Sequence, residues 1–287
     1  MPLDTQTFGI TRHWLTTAIK HIPSAPEVFI KKQLNHARKL FLAGANQLPA
    51  IRNWLMAGGI IEKDKLKVKL TELGQLMAAQ DSRAETALTW WLFHLHLCIN
   101  PDAFPYSGFF LLYDSEGRWL SESDIVDRLA EHADEKQLNI KKETVDTYFS
   151  GVAQTFHNGG FVHEMGLIEQ RTLGDGKNSR RVRRRLGRPD DTLVAYAAVL
   201  FQKQYYPGQA TVEAREILGK GLSKVLGIRD SDVRDSLSRI TTNKELSQHV
   251  QYRQQVNQDS IQFLRQAEAA LREIRTSGYR SQAVKWQ

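Results

Sequence analysis

The sequence contains a single cysteine, Cys98, among its 287 residues. One thiol cannot form an intramolecular disulfide, so disulfide-stapled secreted scaffolds are excluded and the composition fits a reducing cytoplasm. Long hydrophobic runs are also missing. The most apolar stretch, residues 88–99, is much shorter than the roughly 20 residues that cross a bilayer. The first eleven residues hold no apolar run of the kind a signal peptide needs. We therefore expect a cytoplasmic protein with no membrane partner.

Motifs of the common catalytic folds are absent from the sequence as well. The chain contains neither a Walker-type phosphate loop nor a Gly-x-Ser-x-Gly nucleophile elbow. The sequence therefore predicts no enzymatic activity and no cofactor.

The overall composition is that of a basic globular protein. Hydrophobic residues make up 41% and charged residues 25%, so the chain can bury a substantial core. Lys and Arg number 39 against 32 Asp and Glu, which gives a net charge of +7 and a pI near 9.4. This excess favours a polyanionic partner.

The order of local signals predicts a mainly α protein with small β wings, built from tandem winged helix-turn-helix units. In the first unit, residues 1–80, Asn46 is a plausible cap for a helix that begins near Gln47 and ends at Gly58. The stretch 63–70 alternates lysine with apolar residues. We interpret it as a strand with its lysines on one face and Leu66 on the other.

The second unit is predicted over residues 119–189. Ser121 or Ser123 can cap its first helix, and residues 141–156 read as its second helix. A strand at residues 167–170 and a basic return strand at residues 180–186 would form the wing. An aromatic helical connector, residues 81–118, joins the two units.

A C-terminal helical region is predicted for residues 190–287. Its helices are expected at Asp191–Tyr205, Val212–Gly219, Asp230–Ile240 and Val256–Thr276.

The strongest candidate for a binding surface is the run from Arg171 to Arg188. It holds eight Lys or Arg against one acid, Asp175, a local net charge of +7 that equals that of the whole chain. Guanidinium groups bind phosphate oxygens in a bidentate way, and the release of counterions adds affinity. The alternative is a solvated loop. The residues of this wing predicted to contact DNA are Lys177, Arg180, Arg181, Arg183, Arg184 and Arg185.

Weaker candidates lie on the other wing and on the two predicted recognition helices. Alternating lysines also prevent an exposed edge strand from pairing with other chains. Edge protection is therefore the alternative to phosphate contact by the first wing. Asn and Gln can pair with adenine and Arg with guanine, although the same residues also serve as caps and ordinary surface. These candidates are Lys63, Lys65 and Lys67 on the wing, Asn46, Gln47, Arg52 and Asn53 on the first helix, and Lys141, Lys142 and Thr144 on the second.

His94, His96 and Cys98 are metal-ligand types within the apolar helix. Residues two apart on a helix point about 200° apart, and no second cluster supplies the remaining ligands of zinc. We interpret this group as part of a helix core and predict no metal.

The residues also resemble a known family. The segments RNWLMAGGII, LTELGQLM and TWWLFHLHLCINP follow one another as in the uncharacterised bacterial family DUF4007. The most specific part is the Trp-Leu-x-His…Asn-Pro pattern between Trp91 and Pro101. The segment MGLIEQ and residues 190–196 add to the resemblance, which extends from about Phe8 to Ile240. The opening FGITRHWL departs from the histidine-rich opening of the family.

The resemblance implies a role on DNA, because members of this family often lie beside genes for DNA phosphorothioation or sulfur transfer in phage-defence loci. It supplies no catalytic residue. We expect a protein that binds double-stranded DNA in such a system, with a sulfur-transfer or other defence-locus protein as a possible partner. The alternatives are a non-catalytic adaptor that holds a modification or restriction enzyme, and a transcription regulator.

Overall fold

The computed structural model describes residues 2–114, 117–173, 180–255 and 258–281. Within these ranges the chain is mostly helical and carries three small antiparallel sheets. The prediction of a mainly α protein with small β elements is therefore confirmed. Lys177 and Val256 lie outside the described residues.

The first 80 residues form four helices and a hairpin. They are α1 (Arg12–His21), α2 (Leu34–Phe41), α3 (Gln47–Ala57), β1 (Ile61–Asp64), β2 (Lys67–Leu70) and α4 (Glu72–Gln80). Helix α3 begins and ends where the local signals predict, with Asn46 at the N-cap position and Gly58 at the C-cap. The Thr71 hydroxyl accepts from the Gly74 N–H and caps α4.

The lysine-rich stretch after α3 forms an antiparallel hairpin, and the prediction that its lysines share one face of a strand is wrong. Lys65 adopts a φ of 56° in the turn between β1 and β2, and Leu66, expected on the buried face, is 85% exposed at that turn. Lys63 pairs with Val68, whereas Lys67 pairs with Asp64. Because directly paired residues share a face, Lys63 and Lys67 point to opposite faces. The reversal of the chain separates lysines that one continuous strand would have aligned.

The connector and the second unit follow the predicted order. Their elements are α5 (Ala87–Ile99), α6 (Tyr106–Leu112), β3 (Leu120–Ser121), α7 (Glu122–Glu135), α8 (Lys142–Gln154), α9 (Phe161–Glu164), β4 (Ile168–Thr172) and β5 (Arg180–Arg184). Ser121 begins α7 through a capping box with Asp124. Strand β5 lies between β3 and β4.

The C-terminal region contains a third sheet, which the local patterns did not predict. Its elements are α10 (Asp191–Tyr205), β6 (Thr211–Glu213), α11 (Ala214–Gly219), α12 (Leu222–Leu226), α13 (Asp230–Thr242), β7 (Val250–Gln255), β8 (Gln258–Phe263) and α14 (Ala267–Ser281). The helix predicted over residues 256–276 is wrong in its first half, since Ile261 is buried in β8 opposite Val212. Val212 itself lies in a strand rather than in the predicted helix.

The same connectivity therefore occurs twice. In residues 120–184 and again in residues 211–263, a short strand leads through helices to a hairpin whose return strand pairs with that first strand. The first 80 residues have the helices and the hairpin, and their sheet has two strands.

Helix α5 lies at the centre of the hydrophobic core. Trp90 stacks on Phe161 of the second unit with ring centroids 5.1 Å apart, and Phe109 lies 5.0 Å from Phe156. The buried apolar residues form one cluster that extends from Leu3 to Tyr279. The aromatic connector thus joins the units through shared packing.

Candidate nucleic-acid interface

Strand β5 divides the basic run between two faces. Successive side chains of a strand point to opposite sides, so Val182 and Arg184 share the inner face while Arg181 and Arg183 share the outer one. The prediction of a strand in the basic run is confirmed over Arg180–Arg184. We use the name arginine hairpin for β4 and β5 with the arginines Arg171, Arg180, Arg181, Arg183 and Arg185.

A tryptophan supports the outer face of the arginine hairpin. The Arg171 and Arg183 guanidinium carbons lie 4.1 Å and 4.8 Å from the ring centre of Trp119. Cation–π contacts of this kind hold a guanidinium in place while its N–H groups stay available. Trp119 was not among the predicted site residues, because the contact depends on the pairing of β3 with β5.

Acidic neighbours compensate part of this positive charge. Arg183 donates to the Glu169 carboxylate at 2.6 Å, and Arg181 lies 3.4 Å from Asp124. The hydrogen bond from Arg183 lowers the pKa of Glu169. Arg180 donates to Nε2 of His157 at 3.1 Å. These contacts orient the arginines and reduce the field that they present to a ligand.

Two arginines lie directly after β5, and the charge of one of them, Arg185, helps to lower the pKa of Glu169. Arg185 and Arg188 are exposed, and neither has an ion pair among the residues that the structure describes. Both line an open groove of about 720 Å³, together with Arg183 and Gly187. A Cβ at Gly187 would lie 2.5 Å from the Leu226 carbonyl oxygen, so the close approach of this segment to α12 requires glycine. The groove can accept an anionic group.

Arg184 is not part of this surface, and its prediction as an exposed wing residue is wrong. Its exposed fraction is 2%, and its guanidinium donates to the carbonyls of Phe110, Tyr113 and Lys224 at 3.1, 2.8 and 2.6 Å. Burial lowers the pKa of Arg184 to about 10. The register of β5 turns this side chain towards α6 and α12, where it joins three backbone segments.

The predicted recognition helix α3 is partly covered by the N-terminal segment. The Asn53 side-chain amide donates to the Asp4 carbonyl at 3.0 Å, and the Trp54 indole N–H donates to the Phe8 carbonyl at 2.8 Å. Arg52 is half-buried, and its Nε has no hydrogen-bond partner. Asn53 is thus engaged within the chain rather than free to contact a base.

The start of α3 is more open. Asn46 is exposed and makes no side-chain cap hydrogen bond, although it occupies the predicted cap position. The Gln47 side-chain oxygen accepts from the Gly44 N–H at 2.7 Å. The turn before α3 therefore depends on Gln47.

The remaining predicted contacts lie on mixed surfaces. Lys63 and Lys65 are exposed, and Lys67 lies 2.8 Å from Glu27. On α8, Lys141 is exposed, Thr144 is half-buried, and Lys142 forms an ion pair with Asp127. The exposed side of α8 also carries acids, Glu143 and Asp146, which weaken its attraction for phosphate.

The two histidines of α5 have different surroundings. Nε2 of His94 lies 2.8 Å from the Val225 carbonyl and Nδ1 lies 2.7 Å from the Tyr106 hydroxyl, whereas His96 contacts the Tyr196 hydroxyl. Burial lowers the pKa of both His94 and His96 to about 3 and raises that of the Cys98 thiol. Within the described ranges, no group of three or more His, Cys, Asp or Glu side chains could hold a metal ion. None of the described helices is long and apolar enough to span a bilayer.

The chain belongs to the family described as protein of unknown function (DUF4007), whose model matches residues 4–279. The resemblance inferred from its motifs is confirmed. The search of curated proteins found no match. Among solved structures, the chain is similar to one described as magnesium ion-bound SspB, with a TM-score of 0.75 and 17% identity, over 99% of this chain and 91% of that one. A second SspB crystal structure matches with a TM-score of 0.73 and 17% identity, over 98% of this chain and 89% of that one. At this identity the likeness shows a shared fold.

Proposed function

We propose that this DUF4007 protein binds double-stranded DNA through its arginine hairpin, in the cytoplasm, as part of a phage-defence or DNA-sulfur-modification system. The observation that carries the proposal is the outer face of the second sheet. There Trp119 supports Arg171 and Arg183, and the exposed Arg185 follows at the end of the strand. Guanidinium groups fixed in a row suit the regularly spaced phosphates of a duplex.

The connectivity supports the interpretation of these segments as winged helix-turn-helix units. In such a unit a short strand, two or three helices and a hairpin follow in order, and the hairpin forms the wing beside the recognition helix. Residues 120–184 fit this order with α8 as recognition helix, and residues 211–263 fit it with α13. We therefore propose three winged units rather than two.

The biological setting of the proposal comes from the family. Members of the family often lie beside genes for DNA phosphorothioation or sulfur transfer, which supports a role on DNA and a partner from the same locus. The net charge of +7 is consistent with a polyanionic ligand.

The test is duplex binding by a variant of the arginine hairpin, measured by fluorescence anisotropy across a potassium chloride series. We expect the triple variant Arg181→Ala, Arg183→Ala and Arg185→Ala to bind all duplex sequences more weakly. The slope of log affinity against log salt should fall by roughly 0.9 for each phosphate that the variant no longer neutralises. Arg184 is left unchanged because its replacement would affect folding.

A matched control removes the same charge from exposed positions elsewhere, Lys136, Arg215 and Lys244. Binding by this control should equal that of the parent. Equal affinity and slope for the parent, the control and the hairpin variant would contradict the proposal. A transcription regulator would instead bind one duplex sequence far more tightly than random DNA.

An exposed apolar patch on the C-terminal helices would favour the adaptor alternative. Helix α14 instead buries Leu271 and Ile274, and α10 is its main packing partner. Among the described residues, the exposed large apolar side chains are scattered along the chain, at Leu42, Leu66, Leu138, Leu173 and Leu264. Residues 2–114, 117–173, 180–255 and 258–281 therefore give the adaptor no support from an extended apolar surface.

We also propose that the protein cleaves no DNA by itself. The proposal rests on the sequence, which contains neither a Walker-type phosphate loop nor a Gly-x-Ser-x-Gly nucleophile elbow. A similar solved structure is described as magnesium ion-bound, so the test includes this ion. Supercoiled plasmid incubated with the protein and magnesium should stay supercoiled on an agarose gel. Protein-dependent nicked circles would contradict this part of the proposal.

A further inference from the structure

A second basic surface lies on α2 and the short 3-10 helix before it. We define the α2 surface as Lys31, Lys32, Arg38 and Lys39, all of which are exposed. None of the four has an ion pair within the described parts of the chain. Residues 5–61 carry seven Lys or Arg and one acid, Glu27. The charge of the α2 surface is therefore not neutralised locally.

The one acid in this stretch is already engaged. The Glu27 carboxylate lies 2.8 Å from the Lys67 Nζ, and the hydrogen bond between them raises the pKa of Lys67. The Val68 N–H donates to the Pro26 carbonyl at 2.9 Å. These contacts fix the hairpin of β1 and β2 beside the segment that leads into α2.

An open groove of about 420 Å³ separates the hairpin from α2. Lys67 lines it on the hairpin side, and Gln33 and His36 line it on the helix side. Glu27 also lines the groove and is neutralised there by Lys67, so the attraction for an extended anionic chain comes from the four exposed cations of the α2 surface beside it.

The α2 surface has no role in packing. Helix α2 buries its opposite side through Ala37 and Phe41, and Phe41 stacks on Phe29 with ring centroids 5.5 Å apart. Adjacent like charges such as Lys31 and Lys32 repel one another, and a polyanion relieves that repulsion. In the arginine hairpin, by contrast, Glu169 compensates Arg183.

We propose that the α2 surface is a second contact for the phosphate backbone of duplex DNA, separate from the arginine hairpin. The four cations span nine residues, or about 12 Å along a helix, a length that covers more than one phosphate. Asn35 and His36 lie between them and are exposed, so the face lacks the apolar strip by which a membrane-surface helix inserts. The inference rests on the proposed function, which it extends from one contact to two.

The test compares two quadruple variants of the full chain in the same anisotropy assay, with a random duplex of about 30 base pairs. The α2 variant carries Lys31→Ala, Lys32→Ala, Arg38→Ala and Lys39→Ala. The control carries Arg83→Ala, Lys136→Ala, Arg215→Ala and Lys244→Ala, which removes the same net charge from exposed positions. We expect the α2 variant to bind roughly tenfold more weakly with a lower salt slope, and the control to bind like the parent.

The outcomes separate this inference from the proposed function. Weaker binding by the arginine-hairpin variant, with the α2 variant equal to its control, overturns the α2 contact and leaves the proposed function in place. A parent protein without salt-dependent duplex binding overturns both. If the α2 variant loses binding to phosphatidylserine vesicles while its DNA binding equals that of the control, the inference is overturned in favour of a membrane.

Thermal melting of each variant tests whether it is folded like the parent. If the quadruple α2 variant melts below the parent, the two half variants, Lys31→Ala with Lys32→Ala and Arg38→Ala with Lys39→Ala, replace it. Each of these double variants should then lower the salt slope, and an unchanged slope in both of them overturns the inference.

Discussion

At the scale of single residues, neighbouring side chains of one basic run have opposite roles. Arg183 lies over Trp119 on the outer face of the sheet, Arg184 is buried, and Arg185 is exposed again. The alternation follows from the two-residue period of a strand. Charge counting along the sequence treats the three as equal, whereas the fold makes one of them a core residue.

Replacement of Arg184 should therefore act on stability rather than on binding. Arg184→Ala leaves the carbonyls of Phe110, Tyr113 and Lys224 without their donor. We expect the free energy of unfolding, measured by urea denaturation, to fall by about 3–5 kcal/mol. Arg185→Ala is the matched control, since that side chain is exposed, and its effect should stay within about 0.5 kcal/mol. Equal unfolding midpoints for the two variants would refute the buried role of Arg184.

His94 should make the protein sensitive to acid. Its Nε2–H donates to the Val225 carbonyl while Nδ1 accepts from the Tyr106 hydroxyl, so the ring is neutral. Burial lowers its pKa to about 3, against about 6.5 in an unfolded chain. The unfolded state therefore binds the proton first. The stability is fully present above pH 6.5 and is lost as the pH falls towards 3.

Through His94, lowering the pH from 7.5 to 5 should reduce the free energy of unfolding by about 2 kcal/mol. Urea denaturation at the two pH values measures the loss. His94→Gln should reduce this pH dependence, and His13→Gln, at an exposed position, should leave it unchanged. The same pH dependence in all three proteins would show that His94 is not responsible.

At the scale of secondary-structure elements, the C-terminal helix is held by a chain of buried hydroxyl groups. The Thr89 hydroxyl donates to Asp81 at 2.6 Å, so the Tyr279 hydroxyl is the donor in its own 2.6 Å contact with Thr89. Arg272 and Arg275 of α14 add ion pairs to Glu72 of α4. These contacts connect α14 to α4 and α5 across sequence separations of 200 and 190 residues.

The hydroxyl of Tyr279 should contribute measurably to this attachment. We expect Tyr279→Phe to lower the free energy of unfolding by about 1 kcal/mol, because a buried hydrogen bond is removed while the ring remains. Tyr205→Phe serves as control, since no hydrogen bond of its hydroxyl is seen among the described residues. Chemical denaturation of both variants measures the difference, and equal values would exclude a stabilising role for the Thr89 contact.

At the scale of the whole molecule, one core unites segments that the sequence patterns divide into four parts. Buried residues from Leu3 to Tyr279 form a single cluster, and Trp90 of α5 stacks on Phe161 of the second unit. Positive charge, in contrast, is concentrated in two places, residues 1–80 with a net +6 and residues 171–188 with a net +7. The rest of the chain is therefore acidic by a net −6. The molecule thus has one hydrophobic core, whereas its positive charge lies in two separate segments of the chain.

The shared core predicts one cooperative unfolding transition. Differential scanning calorimetry should give a calorimetric enthalpy equal to the van't Hoff enthalpy. Resolved transitions, or a calorimetric enthalpy well above the van't Hoff value, would show that the winged units unfold independently.

The sequence by itself determined the helical class, the family and the ends of several helices. Caps such as Thr71 and Ser121, and the stop at Gly58, act within a few residues, so local patterns predict them. The basic run was also evident from composition, although the net +6 of the first 80 residues did not enter the prediction.

Only the tertiary structure decided which of these residues form a surface. The third sheet pairs Val212 with Ile261, the Asn53 amide contacts Asp4, and Arg184 reaches Phe110. Each contact joins residues about 50 or more positions apart along the chain. Strand pairing and burial depend on such distant partners, whereas helix caps and periodicity depend on near neighbours. For that reason local patterns located the arginine run, and the register of its strand selected which arginines face solvent.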